Sequence, residues 1–83
     1  MSRPILIVDD EMPIRRLLRV AIERSGFAVQ EADCAKAALS ALRSAPPRLV
    51  LLDLGLPDRD GLELIGTFRS ASVPIIVLTA REA

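Results

Sequence analysis

Three short apolar runs of this chain end in side chains that could do chemistry together. The groups at the ends of the runs are Asp9 with Asp10, then Asp53, then Thr79. If the runs are neighbouring parallel strands, these groups gather at one edge of the sheet, where open parallel sheets bind their ligands. Three carboxylates so close repel one another, so they must take up protons, bind a cation or destabilise the fold.

The ligands that these residues offer favour a hard divalent cation. Carboxylate, backbone carbonyl and water oxygens suit Mg²⁺, which accepts few protein ligands and keeps several waters. A divalent ion beside Asp53 would screen an incoming phosphoryl group from the charge of that carboxylate. The predicted chemistry is attack of Asp53 on phosphorus to give an aspartyl phosphate, with the Thr79 hydroxyl donating a hydrogen bond to the new group.

Each of these residues also has a purely structural interpretation. An aspartate after a strand is commonly a helix cap or a turn residue, and Asp58 is interpreted in this way. Glu11 fits a first-turn acid favoured by the helix dipole, Thr79 an ordinary strand residue, and Cys34 a small helix residue without a redox role. The coincidence of three strands that end in compatible groups favours a site for the set as a whole.

Four runs predict β-strands, and three amphipathic stretches between them predict helices. The predicted strands cover residues 4–9, 27–31, 48–53 and 74–79. Three of them are apolar without alternation, as in strands covered on both faces, and the second is more polar, as at an edge. The order β-α-β-α-β-α-β, with connections long enough for right-handed crossovers, predicts an α/β fold with a parallel sheet.

The first helix is predicted to begin near Pro13 and to end before a left-handed cap at Gly26. Its predicted apolar stripe consists of Ile14, Leu17, Leu18, Ala21 and Ile22. Its opposite face is predicted to carry Arg15, Arg16, Arg19 and Glu23.

Aspartates are predicted to cap the other two helices. Asp33 would cap the second, whose predicted apolar face is Ala35, Ala38, Leu39, Ala41 and Leu42. Asp60 would cap the third, over residues 61–70, which would present Leu62, Ile65 and Phe68 to the core, with Gly66 as a weak point.

The composition excludes several classes of protein. The chain has 83 residues, enough for one small domain, and its eleven basic and eleven acidic residues cancel, so no basic surface for nucleic acid is expected. The single cysteine, Cys34, excludes an internal disulfide and fits a reducing compartment. We find no stretch of membrane-spanning length and no signal-peptide pattern, and therefore expect a cytoplasmic protein with no membrane partner.

The chain resembles the receiver domain of bacterial two-component response regulators. The resemblance covers residues 4–81 and rests on the motifs at residues 7–11, 51–61 and 76–80. Gly55 followed by Leu-Pro-Asp is most similar to OmpR-like regulators of potassium-uptake genes. The resemblance implies a flavodoxin-like α/β fold, with helices on both faces of a parallel sheet of strand order 2-1-3-4.

The resemblance also implies a role for each matching residue. Asp53 would be the phosphoacceptor and Thr79 the switch hydroxyl. Asp10 would ligate Mg²⁺ directly, Asp9 would help through water, and Asp53 with the backbone carbonyl of Gly55 would complete the protein ligands. A sensor histidine kinase, or a small phosphodonor, would supply the phosphoryl group.

The sequence departs from the family pattern after the fourth strand. Receivers have a fifth strand that ends in an essential lysine, whereas the one lysine here, Lys36, falls on the predicted second helix. Residues 1–83 are therefore expected to form the N-terminal portion of a receiver domain, without the last helix-strand-helix segment and with impaired phosphotransfer. A DNA-binding output domain would lie outside this chain. The bared edge at residues 75–79 is expected to cause self-association or a partly molten state.

Three classes of function stay open on these observations. The first is a signalling receiver that switches on phosphorylation and is not an enzyme. The second is a Mg²⁺-dependent phosphohydrolase, although such enzymes usually carry a second acid two residues after the nucleophile, where Gly55 stands here. The third is a receiver fragment that binds itself or a partner without phosphotransfer.

Overall fold

Strands and helices alternate along the chain in the structure, a computed structural model that describes residues 3–79. The strands are β1 (Ile5–Val8), β2 (Val29–Ala32), β3 (Leu49–Asp53) and β4 (Ile75–Thr79). The helices are α1 (Met12–Arg24), α2 (Ala35–Ser44) and α3 (Gly61–Ser70). The element order predicted from the sequence is confirmed.

Every neighbouring pair of strands in the sheet is parallel, and the strand order is β2-β1-β3-β4. This confirms the predicted α/β architecture and its strand order. Val8 of β1 lies beside Leu52 of β3 in the register. Asp9 and Asp53, the next residues, therefore emerge side by side at the C-terminal edge of the sheet.

The two faces of the sheet bury separate apolar clusters, because successive strand side chains point to opposite faces. The larger cluster, under α2 and α3, contains Leu6, Val8, Ala32, Ala35, Ala38, Val50, Leu52, Leu64, Phe68 and Val73. The smaller one contains Ile5, Ile7 and Leu51, with Leu18 and Ile22 of α1 packed against it. Helices thus cover both faces of the sheet, as predicted.

Helix α1 packs only one side of its apolar stripe against the sheet. Leu18 and Ile22 pack on the sheet, but Leu17 is 71% exposed and Ala21 is also exposed. Residues spaced by four face the sheet and the adjacent row turns away from it, so the stripe has a packed side and an exposed apolar side.

Helix α3 is rotated relative to the prediction. Leu64 and Phe68 are buried, whereas Leu62 is 61% exposed. Gly61, at the start of the helix, packs directly against the backbone of Leu54. This close approach turns residues 61, 64 and 68 toward the sheet, so the expectation that Leu62 faces the core is wrong.

The helix ends follow the predicted caps in two of three cases. Gly26 has a φ of 94°, and its N–H donates to the carbonyl of Glu23, which confirms the left-handed end of α1. Asp60 caps α3 by accepting a hydrogen bond from the N–H of Leu62 at 3.0 Å. Asp33 is not the cap of α2: the N-cap position belongs to Cys34, which makes no side-chain cap.

Strand β4 has solvent-exposed apolar side chains on both of its faces. Ile76 is 51% exposed and Val77 is 42% exposed, and neighbouring residues of a strand point to opposite sides. Among the strands within residues 3–79, β4 pairs with β3 alone. No helix in this part of the chain has the length and apolar character needed to cross a membrane.

Two glycines of α3 should respond oppositely to alanine. A Cβ on Gly61 would lie 2.6 Å from the Leu54 Cα, so Gly61→Ala should destabilise the fold by about 1–3 kcal/mol through overpacking. Nothing lies within 4 Å of a Cβ on Gly66, so Gly66→Ala should stabilise the helix by about 1 kcal/mol. Urea denaturation followed by circular dichroism measures both changes. Equal effects of the two substitutions would contradict the close packing at Gly61.

Candidate metal and phosphoacceptor site

Three carboxylates lie together at the C-terminal edge of the sheet. Asp9 and Asp10 follow β1, and Asp53 is the last residue of β3. One ligand oxygen from each of these residues lies within 4.8 Å of the other two. The structure thus brings together the three acids that the sequence predicts to meet, and this donor set fits a hard divalent cation.

The three carboxylates differ in their access to solvent. Asp9 is 1% exposed and Asp53 is fully buried, whereas Asp10 is exposed. Removing charged carboxylates from water is costly unless a partner or a cation compensates for the lost hydration. The cluster therefore has two buried carboxylates, Asp9 and Asp53, and one that is open to solvent, Asp10. This arrangement suits a cation that keeps part of its water shell.

The surroundings of Asp9 disfavour its ionised form. Burial raises the pKa of its carboxyl above the ordinary value, and the hydrogen bond from the N–H of Glu11 to its Oδ1, at 2.8 Å, opposes that shift. The negative charges of Asp53 and Asp10 raise the pKa further. A bound cation would act in the opposite direction and would favour the ionised form.

Asp53 is connected to the loop that follows it. Its Oδ1 accepts a hydrogen bond from the N–H of Gly55 at 3.0 Å. Gly55 is half-buried and belongs to the β3–α3 loop, residues 54–60. The short turn therefore holds Gly55, the predicted carbonyl ligand, next to the predicted phosphoacceptor.

The backbone of Thr79 lies beside Asp53, as the sequence predicts. In the parallel register Leu52 pairs with Val77 and Asp53 pairs with Thr79, so a one-residue shift separates the two pairs. The hydroxyl of Thr79, to which the switch role is assigned, lies outside the described part of the structure. Lys36 lies on α2, as predicted, and is exposed.

The sequence reasoning missed the role of Arg15. Its side chain is only 15% exposed rather than on the outer face of α1, and its Nη1 donates to the backbone carbonyl of Asp9 at 2.8 Å. Its Nε donates to Glu31 at 3.0 Å, and the other Glu31 oxygen accepts from Arg19 at 2.7 Å. The arginine thus fixes the backbone of Asp9. The sequence signal that could have indicated this contact is an arginine in the first turns of α1 together with an acid, Glu31, in the neighbouring strand β2.

A second contact that the sequence did not predict involves Asp58. Its two carboxylate oxygens accept hydrogen bonds from the N–H groups of Ala35 and Lys36, at 2.8 and 3.0 Å. These bonds lower the pKa of Asp58 below its usual value. Asp58 is therefore a cap, as interpreted, but it caps α2, the helix for which Asp33 is the predicted cap.

Comparison with known proteins identifies the family. The chain matches the response regulator receiver domain over residues 5–83. It belongs to this family. The identification confirms the resemblance found in the sequence motifs.

The sequence relatives of this receiver chain include transcriptional regulators. It is 49% identical over 78 residues to the KDP operon transcriptional regulatory protein KdpE of Escherichia coli K12, covering 93% of this chain and 35% of the relative. It is 46% identical over 81 residues to the transcriptional regulatory protein PhoP of the same organism, covering 95% of this chain and 36% of the relative. The chain spans about a third of these relatives. The expected likeness to OmpR-like regulators is confirmed, and receiver domains of this type are not enzymes.

Solved receiver structures share the fold. A CheY-like receiver domain protein from Methanospirillum hungatei JF-1 superposes with a TM-score of 0.91 at 28% identity, over 100% of this chain and 68% of the other. A response regulator from Burkholderia pseudomallei, solved with a phosphorylated aspartic acid, a calcium ion and citrate, gives a TM-score of 0.88 at 27% identity. That match covers 99% of this chain and 49% of the other.

The ion pairs of Glu31 should make the stability depend on pH. Hydrogen bonds from Arg19 and Arg15 hold the pKa of Glu31 below its usual value. Such a group stabilises the fold above its ordinary pKa, and this contribution disappears as the pH falls through the lowered value. Glu31→Gln should therefore cost about 1 kcal/mol at neutral pH, and the difference should shrink as the pH falls below about 4 and vanish below the lowered pKa of Glu31.

Denaturation of both proteins over a range of pH measures this difference. The matched control is Asp33→Asn, which removes an exposed acid near the start of α2 and should leave stability within about 0.5 kcal/mol. A difference between Glu31→Gln and the wild type that persisted at acid pH would contradict the ion pairs.

Proposed function

We propose that this chain is the phosphoacceptor module of a two-component response regulator, with Asp53 as the residue that becomes phosphorylated. The observation that carries the proposal is the meeting of Asp9, Asp10 and Asp53 within 4.8 Å at the edge of a receiver fold. Receiver domains generally bind Mg²⁺ at such an acidic pocket. In the proposal the three carboxylates and the backbone carbonyl of Gly55 hold the ion.

Each residue has a defined task in this proposal. An oxygen of Asp53 attacks phosphorus, the bond from phosphorus to the donor breaks, and the donor keeps the electron pair. Bound Mg²⁺ would supply charge compensation for the phosphoryl oxygens. Asp9 and Asp10 hold negative charge at the ion, and the hydroxyl of Thr79 donates a hydrogen bond to the phosphoryl group after transfer.

The buried position of Asp53 supports its role as the nucleophile. A fully buried carboxylate has few waters to shed before it attacks, and the aspartyl phosphate is shielded from hydrolysis. The turn from Asp53 to Gly55 holds the carboxylate in one orientation. Lys36 is exposed on α2 and is given no part in the transfer step.

The partners of this module are inferred from its family. A sensor histidine kinase in the cytoplasm would donate the phosphoryl group. The relatives KdpE and PhoP are named as transcriptional regulators, which supports a DNA-binding output domain in the full-length protein. The match to 68% of a receiver domain protein supports the expectation that residues 1–83 form the N-terminal portion of a receiver.

Phosphorylation should be visible as a change in intact mass. Incubation with Mg²⁺ and a small phosphodonor such as acetyl phosphate should add the mass of one phosphoryl group. The addition should disappear in Asp53→Asn, which lacks the nucleophile, and when the metal is chelated. Asp60→Asn is the matched control, because it changes an acid of the same loop that caps α3 and should leave labelling intact. Equal labelling of wild type and Asp53→Asn would remove Asp53 from the reaction.

The open edge of β4 supports a second proposal, self-association of this chain through that strand. Ile76 and Val77 expose apolar surface on opposite faces of the strand. Within residues 3–79, β4 pairs with β3 alone, and a strand edge without a partner strand pairs readily with a strand of another molecule. A second copy of the chain offers the same edge, so the two could extend their sheets across the contact.

Sedimentation velocity over a range of concentrations tests self-association. The wild type should form dimers or larger species, and Ile76→Lys should shift the population to monomer because charge disfavours edge pairing. Leu62→Lys is the matched control, since Leu62 is an apolar residue that is 61% exposed on α3 rather than on β4. A sharp monomer peak at every concentration, together with cooperative melting, would overturn the proposal.

A further inference from the structure

The β3–α3 loop is fastened to a helix that is distant from it in the sequence. The carboxylate of Asp58 binds the N–H of Ala35 through Oδ1 at 2.8 Å and the N–H of Lys36 through Oδ2 at 3.0 Å. Both oxygens are thus engaged by the N-terminus of α2. The contact joins the loop after the phosphoacceptor to the first turn of α2, more than twenty residues earlier in the chain.

Helix α2 depends on this external cap. The first N–H groups of a helix have no partner within the helix and need an acceptor from elsewhere. Cys34, at the N-cap position, provides no side-chain acceptor, and α2 has no acid in its first turn. The Asp58 carboxylate supplies both the acceptors and the negative charge that a helix N-terminus favours.

The anchor on the helix side is firm. Ala35 and Ala38 are fully buried in the larger apolar cluster, where they face the sheet. Helix α2 packs against β2 and against β1, the strand that Asp9 and Asp10 follow. A loop attached to this turn is held relative to the sheet itself.

The β3–α3 loop also makes backbone hydrogen bonds close to Asp53. The N–H of Gly55 donates to Asp53, and the N–H of Gly61 donates to the carbonyl of Leu54 at 3.3 Å. Between Gly55 and Asp58 lie two residues, of which Pro57 has a fixed φ angle. With so short and stiff a connection, the position of Asp58 restricts the position of Gly55.

We propose that Asp58 is a positioning residue that fixes Gly55 at the metal site by tying the β3–α3 loop to the N-terminus of α2. The proposal rests on the proposed function, since Gly55 matters to the metal only if its carbonyl is a ligand. Asp58 itself touches neither the ion nor the phosphoryl group. It sets the geometry that lets the loop complete the ligand set.

The first test needs no metal. In metal-free protein, Asp58→Ala should speed hydrogen exchange of the Ala35 and Lys36 amides and shift the NMR resonances of Gly55. Asp33→Ala is the matched control, because it removes the same charge from an exposed residue beside the same helix end. Unchanged Gly55 resonances in folded Asp58→Ala would overturn the proposal, whatever the metal does.

The second test is calorimetric titration with Mg²⁺. Loss of an outer partner that orients a ligand typically weakens metal binding about tenfold or more, so Asp58→Ala should lower the affinity by about tenfold. Asp58→Asn keeps one acceptor oxygen and should recover part of the loss. Asp60→Ala, which removes the cap of α3, should lower stability but keep the affinity, and this separates positioning from general destabilisation.

The outcomes distinguish the two proposals. A wild type that binds no Mg²⁺ would overturn the proposed function, while the exchange and resonance measurements would still decide whether Asp58 holds Gly55. A wild type that binds Mg²⁺, with unchanged affinity in Asp58→Ala, would overturn the positioning role and leave the proposed function standing. If Asp58→Ala does not fold, the same comparisons apply to Asp58→Asn.

Discussion

Repulsion among three carboxylates is the constraint around which the C-terminal edge of the sheet is built. The parallel pairing of Val8 with Leu52 makes the encounter of Asp9 and Asp53 unavoidable, because the next residue of each chain segment is an acid. Burial prevents water from screening their charges. The fold therefore bears an electrostatic cost at this edge that a divalent cation would remove.

Two charged side chains, those of Arg15 and Asp58, stabilise the segments next to this cluster by hydrogen bonds to backbone groups. Arg15 binds the carbonyl of Asp9 on the side of α1, and Asp58 binds N–H groups of α2 on the side of the loop. In these contacts neither side chain binds a carboxylate of the cluster. These contacts fix the backbone around the cluster through Asp9 on one side and through the β3–α3 loop on the other.

The sequence predicted the features that depend on local pattern. Apolar runs located the strands, and the acids after them located the cluster, because a parallel sheet brings strand ends to one edge. The contacts of Arg15 and Asp58 join segments far apart in the chain, and periodicity carries no information about them. The rotation of α3 could not be predicted from the sequence either. It follows from the close approach of Gly61 to Leu54 and not from the spacing of the apolar residues of α3.

The register shift between β3 and β4 decides which residue stands opposite the phosphoacceptor. Val77 pairs with Leu52 but Thr79 pairs with Asp53, so Leu78 is the additional residue on β4. In an unshifted ladder, Leu78 would occupy that place and would bring an aliphatic group beside the carboxylate. The spacing within β4 is consequently as restrictive as its residue types: loss of the shift alone, with the sequence unchanged, would replace a polar neighbour of Asp53 by an aliphatic one.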